Sequence, residues 1–256
     1  MNKIEFIKFI KSNIKGNVAR IGGTVNQYID YDLCKVVDFN LADGGYGQAT
    51  AINRNIINRI IYKLKGVRKE LLYLRYGEKI PRPFRMVIHD FHLEPPVKYQ
   101  NKFDCVISSN VIEHSPNPIK LLLNFSKLLN ENGWIFHAIP SAKHCYDKYR
   151  NISNVEHMIE DYKNDTDLND QTHIKDYYNS AVLKDGYQKG FHEIYPVTYP
   201  YIHQHTFDLK NVNDLFSSIF QDVNVYLDQT EEWNDIFVIY KNKIRDEFSY
   251  DSNENY

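Results

Sequence analysis

From Gly16 onward, short apolar runs alternate with stretches of helical spacing, and this pattern constrains the chain more than any other feature. The apolar runs are Val18–Ile21, Lys35–Phe39, Arg85–Ile88, Phe103–Ser108 and Trp134–Ile139. Each but the third is apolar almost throughout, as strands covered on both faces must be. Strands separated by helical segments build a parallel sheet with crossover helices. Between the last two runs, Pro118 to Asn130 carries Ile119, Leu122, Leu123, Phe125, Ser126 and Leu129 at helical spacing, and Asn132-Gly133 is expected to stop that helix. Later, Asp208 to Phe220 reads as a helix and Val223–Leu227 with Asp235–Tyr240 as an antiparallel hairpin. Residues after Lys243 read as a polar tail.

Two segments depart from the alternation. In residues 1–15, Ile4, Ile7, Ile10 and Ile14, widened by Phe6 and Phe9, recur with lysines between them, which predicts an amphipathic helix over 3–14. Such a helix packs against the sheet or a second subunit, the latter making a homodimer; a basic amphipathic helix can also lie on a membrane surface. From Pro140 to His205 the periodicity disappears and His, Asp, Tyr and Asn accumulate. That length is too great for a simple loop. Residues 141–205 therefore read as an inserted lid with short helices over Val155–Tyr162 and Thr172–Leu183, dividing a core of 16–140 and 206–243. With 256 residues, 43% hydrophobic and 25% charged, the whole is one globular domain.

A net charge of −2 provides no broad basic surface, so nucleic acid is not the expected partner. Cys34, Cys105 and Cys145 form neither a C-x-x-C pair nor an even disulfide framework, which suits a reducing cytoplasm. Lys3, Lys8, Lys11 and Lys15 interrupt the apolar N-terminus. The expectation is therefore a cytoplasmic protein without a signal peptide or membrane span.

Open α/β sheets bind ligands outside the carboxyl ends of their strands. Strand one ends in Ile21-Gly22-Gly23-Thr24, where glycines allow close backbone approach. Strand two ends near Asp38, placed to take both hydroxyls of a ribose. Asp90 follows strand three, and Ser109-Asn110-Val111-Ile112-Glu113-His114 follows strand four. Each feature alone is weak, but together they are ordered as a nucleoside site requires.

The stretch Phe103 to His114, followed by Asn117-Pro118, the Leu121–Leu129 helix, Gly133 and Trp134–Pro140, resembles the class I S-adenosylmethionine-dependent methyltransferases. The resemblance covers roughly residues 16–140 and 206–242. It implies a Rossmann-like α/β sheet, mostly parallel with an antiparallel C-terminal hairpin and a helical lid insertion. It implies S-adenosylmethionine as cofactor, with Gly22, Gly23, Asp38, Asp90 and Asn110 around it. The chain departs from that family in one respect: Arg20-Ile21-Gly22-Gly23 stands where an acidic residue usually precedes the first glycine. Another group must then hold the methionine end of the cofactor.

Within the insertion, Pro140-Ser141-Ala142-Lys143, Tyr146-Asp147, Arg150, His157 with Glu160-Asp161-Tyr162, and His203-x-His205-x-Phe207 resemble a branch associated with bacterial surface-polysaccharide genes. This implies a sugar or nucleotide-sugar acceptor and an O-methyltransferase. Histidine is the natural base for a hydroxyl near neutral pH, and His205, His114 and His157 are the candidates. Glu113, Asp147, Arg150 and His203 are candidates for holding the acceptor, although Asp147 and Arg150 read equally well as an ion pair. A His-x-His pair near Asp147, Glu160, Asp161 or Glu193 also has the composition of a metal site; hydrogen bonding is the preferred reading, and no metal is assigned. Other acceptors, an amine or a phosphate-type group, remain open. A nicotinamide-dependent sugar-nucleotide epimerase or reductase shares the sheet, but the glycine loop lacks G-x-G-x-x-G, and Tyr31-x-x-x-Lys35 precedes strand two.

Overall fold

The computed structural model describes residues 3–22, 29, 33–40, 85–187, 189, 202–227 and 235–248. Gly23 and Glu193 lie outside them. Seven strands form one sheet: β1 (Gly16–Gly22), β2 (Cys34–Asn40), β3 (Arg85–Ile88), β4 (Phe103–Ser109), β5 (Leu129–Pro140), β6 (Asn224–Leu227) and β7 (Asp235–Lys241). Their order is β3-β2-β1-β4-β5-β7-β6. The first five are parallel, and β7 runs antiparallel to both β5 and β6. This is the expected mostly parallel sheet with an antiparallel C-terminal hairpin. Strand order reverses between β1 and β4, so the carboxyl ends of those strands flank the natural binding crevice.

Side chains of successive strand residues alternate between the two faces. On one face, Val18, Cys34, Val36, Cys105 and Ile107 pack with Ile10 and Ile14, the buried residues of the N-terminal segment whose helix α1 spans Lys3–Asn13. That segment thus docks on the sheet of its own chain; the side chains of Ile4, Phe6 and Ile7 lie outside the described ones. On the other face, Phe39, Phe103, Val106, Ile135 and Tyr240 pack against α2 (Pro118–Leu128) and α5 (Leu209–Ile219). No described helix is long and apolar enough to cross a membrane.

The helix after Asn117 starts as expected, with the Asn117 side chain accepting from Lys120 N at 3.0 Å and Pro118 in the first turn. Its end differs. Leu129 is already extended and pairs with Phe103, so β5 begins five residues before Trp134, and Asn132-Gly133 lies inside the strand rather than stopping the helix. Four residues bulge out between the Leu129 and Trp134 pairings. A Cβ on Gly133 would come within 2.7 Å of Leu129 Cδ2, so close approach, not a left-handed cap, explains the glycine.

Residues 141–205 contain α3 (Val155–Lys163) and α4 (Ile174–Tyr177), which continues as a π-helical stretch, Tyr178–Lys184, instead of one α-helix to Leu183. The wider coil brings Tyr177, Ala181 and Val182 together onto Ile202. The ends of the segment meet where Ser141 bridges Phe207 and Ala142 N donates to the Phe207 carbonyl at 2.8 Å. The expected free polar tail after Lys243 is also corrected. Ile244 bridges Phe220, Arg245 Nε donates to the Ser217 carbonyl at 2.7 Å, and Phe248 packs on Tyr162. Residues 249–256 lie outside the described ones.

Asp208 caps α5, accepting from Asn211 N at 2.8 Å while Asn211 Oδ1 accepts from Asp208 N at 2.8 Å. Asp208→Ala removes half of this reciprocal box and should cost about 1 kcal/mol. Urea unfolding should show a lower midpoint with an unchanged slope; an unchanged midpoint would contradict the capping role.

Candidate functional site

The carboxyl ends of the parallel strands converge as the pairing requires: Gly22 lies beside Ser109, and Arg20 beside Asp38. Gly22 has φ +81°, a turn at the exit of β1 that favours glycine. Asn110 leaves β4 at φ +53°, a left-handed conformation that Asn tolerates better than most residues, and its amide donates to the Ala138 carbonyl at 3.0 Å. The Asp38 carboxylate is gripped by the Arg20 guanidinium through Nε and through Nη2, the latter at 2.5 Å. The residue standing in the family's acidic position therefore orients the expected ribose ligand.

Asp90 accepts from His92 N at 2.9 Å and meets His92 Nδ1 at 2.8 Å, while His92 Nε2 meets Ser115 Oγ at 2.9 Å. Burial works against the Asp90 charge, but the His92 hydrogen bonds outweigh it and hold the carboxyl below its usual range. His92 was missed in the sequence because it lies four residues past the expected strand end, and only the fold shows its link to Ser115.

After β4, the chain makes one turn of 3₁₀ helix over Ile112–His114. The Glu113 side chain is 1% exposed, and neither carboxylate oxygen has a hydrogen-bond partner. Burial first, then the charges of Asp235 and Asp147, push its carboxyl well above the usual range, partly offset by the amides of Glu113 and Val111. Glu113 Oε1 lies 3.8 Å from both His114 Nε2 and His203 Nε2, and the rings of these two histidines meet edge to face at 4.7 Å. His203 Nδ1 lies 2.5 Å from Asp147 Oδ2, and its Nε2 lies 2.5 Å from the Tyr146 hydroxyl. Tyr146 stacks on Tyr187 with ring centroids 3.7 Å apart. Burial disfavours the Asp147 charge, but His203 and then Arg150 overcome it and lower its pKa.

Arg150 is held by protein groups: Nη1 donates to Asp147 Oδ1 at 3.0 Å and the His203 carbonyl at 2.7 Å, Nη2 to the Gln204 carbonyl at 3.4 Å, and Nε to Asp176 Oδ2 at 2.7 Å. It fastens Asp147 to the 203–204 segment, the ion-pair reading of the two. His205 is fully buried; Nδ1 faces the Ser115 carbonyl at 2.9 Å and Nε2 faces Asp161 at 3.2 Å. His157 stands apart from Glu113 and beside His173, their Nε2 atoms 3.1 Å apart. Among the sequence candidates, the fold thus brings Glu113, His114, Asp147, Arg150 and His203 together and places His157 and His205 in a neighbouring cluster. Buried His137 bonds Ser108 Oγ at 2.6 Å and the Tyr240 hydroxyl at 3.0 Å, and burial pushes it down to about 3, which marks a neutral core residue. A depression of about 580 Å³ lined by Asn13, Lys15, Asp104, Asn130–Asn132 and Trp134 shares no residue with this site.

The strand order and the antiparallel C-terminal hairpin are those of a Rossmann-like class I methyltransferase sheet. A family model described as a methyltransferase domain matches residues 40–189, more than half of the chain, and the chain belongs to that family. S-adenosylmethionine is the cofactor of this class. No curated protein matches. Solved structures similar to the chain include the CurJ carbon methyltransferase, with 10% identity, 90% of this chain and 49% of that one covered, and a TM-score of 0.46. The trans-methyltransferase CalH in complex with SAH has 14% identity, coverage of 92% and 54%, and a TM-score of 0.46. A possible histamine N-methyltransferase from Thermotoga maritima has 12% identity, coverage of 94% and 88%, and a TM-score of 0.45. The chain spans about half the length of CurJ and CalH.

The residues fit the cofactor on two observations: Gly22 turns at a positive φ at the carboxyl end of β1, and both Glu113 oxygens are buried without a hydrogen-bond partner. Glu113 also has a stability consequence. A carboxyl raised in the folded state contributes stability below its unfolded pKa of about 4.3, which is lost as pH rises toward the folded value. Glu113→Gln removes that loss. The cofactor-free variant should therefore exceed wild type in stability by about 1 kcal/mol or more at pH 8, with the gap closing near pH 4. Equal denaturation midpoints at pH 8 would mean that Glu113 is solvated or paired.

Proposed function

We propose that the chain transfers a methyl group from S-adenosylmethionine to a hydroxyl of a sugar or sugar nucleotide destined for a bacterial surface polysaccharide. The observation that carries this reading is the buried Asp147–His203 pair beside Glu113 and His114, at the end of the strand that faces the cofactor crevice. When bound, the cofactor supplies an electrophilic methyl on a sulfonium, a good leaving group. Asp38, oriented by Arg20, would take the ribose hydroxyls; Gly22 and Asn110 would shape the backbone around the nucleoside, and Asp90, held by His92, would border it.

A hydroxyl acceptor loses its proton as the new C–O bond forms. A base needs a third group to fix its orientation. Asp147 does this for His203 by holding Nδ1, which leaves Nε2 on the side of the Tyr146 hydroxyl and Glu113. His203 is therefore assigned the proton, which would reach Nε2 through the Tyr146 hydroxyl held there, with His114 packed edge to face beside it. Positioning of the acceptor is the larger contribution, up to about 7–11 kcal/mol, against about 3–5.5 kcal/mol for the base. The stacked Tyr146–Tyr187 pair supports a flat wall for a sugar or base, and the resemblance within the insertion supports the carbohydrate acceptor.

Two measurements check this. Calorimetry should show binding of S-adenosylmethionine and its demethylated product but not NAD, weakened about tenfold or more in Asp38→Ala by loss of charge-assisted hydrogen bonds. Binding of NAD with comparable affinity would reject the methyltransferase reading. Labelled S-adenosylmethionine with a panel of nucleotide sugars, amines and phosphate esters should label the sugars, and His203→Ala should lower kcat by about 10²–10⁴ with cofactor affinity nearly unchanged. Labelling confined to amines or phosphates would overturn the acceptor class. Wild-type rates in both His203→Ala and His114→Ala would overturn the base.

A further inference from the structure

A second cluster, which methyl transfer does not use, lies within the insertion. His157 and Asp161 sit one turn apart on α3, His173 immediately precedes α4, and His205 lies in the segment that returns to the core. Four donor atoms, one from each residue, lie within 4.8 Å of one another. We propose that His157, Asp161, His173 and His205 bind one divalent transition-metal ion of the zinc type, which fastens residues 155–175 onto the turn after β4.

The spacing carries the first part of the argument. Nitrogen and oxygen ligands about 2.0–2.2 Å from a tetrahedral zinc lie about 3.3–3.5 Å from each other. Here His157 Nε2 is 3.1 Å from His173 Nε2, His205 Nε2 is 3.2 Å from Asp161 Oδ2, and His157 Nε2 is 3.5 Å from the same oxygen. These are edges of such a tetrahedron.

The lone pairs carry the second part. His205 Nδ1 faces the Ser115 carbonyl, which only accepts, so Nδ1 carries a proton and Nε2 is the nitrogen turned into the cluster. Between Nε2 and the Asp161 oxygen at 3.2 Å there is room for one shared proton or for a cation that both atoms ligate. The two histidine Nε2 atoms at 3.1 Å likewise have a single proton to share at most while both rings are neutral. A cation at the centre converts these facing lone pairs into ligand bonds.

The surroundings match what metal ligands require. Ser115 holds the far nitrogen of His205, and Thr166 Oγ1 donates to Asp161 Oδ1 at 3.0 Å, so the outer atoms of two ligands are oriented by protein groups. The His157 side chain is 35% exposed, which gives an ion a route from solvent. Three imidazoles and one carboxylate favour zinc or cobalt over magnesium or calcium, and four protein ligands close a tetrahedron, as at structural sites. The Glu113, His114 and His203 group competes less well, because His203 Nδ1 and Nε2 already lie 2.5 Å from Asp147 and Tyr146.

The test uses the full chain, stripped with a chelator and dialysed. Titration should show one equivalent of Zn²⁺ bound per chain, Co²⁺ should give the visible bands of a tetrahedral site, and Zn²⁺ but not Mg²⁺ should raise Tm. His157→Ala and His173→Ala, both partly exposed and so the milder variants, should each lower Zn²⁺ affinity more than about tenfold and abolish the rise in Tm, with unchanged circular dichroism. His203→Ala should keep the ion. Failure of the stripped wild type to bind stoichiometrically, unchanged affinity in both variants, or loss of the ion in His203→Ala alone would overturn the site. These readouts do not depend on methyl transfer, so the site stands or falls apart from the proposed activity.

Discussion

The backbone carbonyl of Glu113 accepts two amides from the far side of the sequence, Gln204 N at 2.7 Å and His205 N at 3.1 Å. Its neighbours repeat the connection: His114 Nδ1 bonds the Ile202 carbonyl at 2.8 Å, and the Ser115 carbonyl takes His205 Nδ1 at 2.9 Å. Asn117 Nδ2 donates to the Asp161 carbonyl at 3.1 Å, and Ser115 Oγ meets His92 at 2.9 Å. Four residues after β4, Glu113, His114, Ser115 and Asn117, therefore tie together the segments after β3 and β4, helix α3 and the returning segment. These groups are buried, and each would cost about 1–3 kcal/mol if left unpaired, so the turn and the insertion specify one another.

That coupling explains what the sequence disclosed and what it concealed. The strands were legible because residues buried on both faces leave an apolar run, as in Phe103–Ser108, and the helix at Pro118 was legible through Asn117 and its apolar spacing. The early start of β5 was hidden because Asn130 to Gly133 reads as a helix stop, and only the pairing of Leu129 with Phe103 makes it a bulged strand. The strand-end residues Gly22, Asp38, Asp90 and Asn110 could be placed from fold rules alone. The insertion could not be ordered in this way. Its contacts, Asp147 to His203 and Asp161 to His205, span 56 and 44 residues, and no local period encodes them.

Within the insertion the polar residues divide by partner. Arg150 spends its donors on two carboxylates and two carbonyls, so its charge stabilises Asp147 and the 203–204 backbone rather than a ligand. Removing one member of such a buried set leaves an uncompensated charge, so a substitution here would destabilise the fold even without contact to a substrate. His203 inherits its orientation from this set. His205, two residues on, points into the other cluster, so residues 203–205 take part in both.

Arg20 shows how one substitution is absorbed. In the family pattern an acidic residue precedes the first glycine, and two carboxylates near the end of β1 would repel each other. Here a guanidinium occupies that position and takes one lone pair from each Asp38 oxygen. An ionised carboxylate offers about four such sites, so two remain for the adjacent hydroxyls of a ribose. The bidentate grip also fixes the carboxylate plane before a ligand arrives, which reduces the ordering cost of binding. What the exchange removes is a negative charge for the amino group of the methionine end. The buried Glu113 carboxyl after β4 has no hydrogen-bond partner, so a cation brought beside it would lower the cost of its charge.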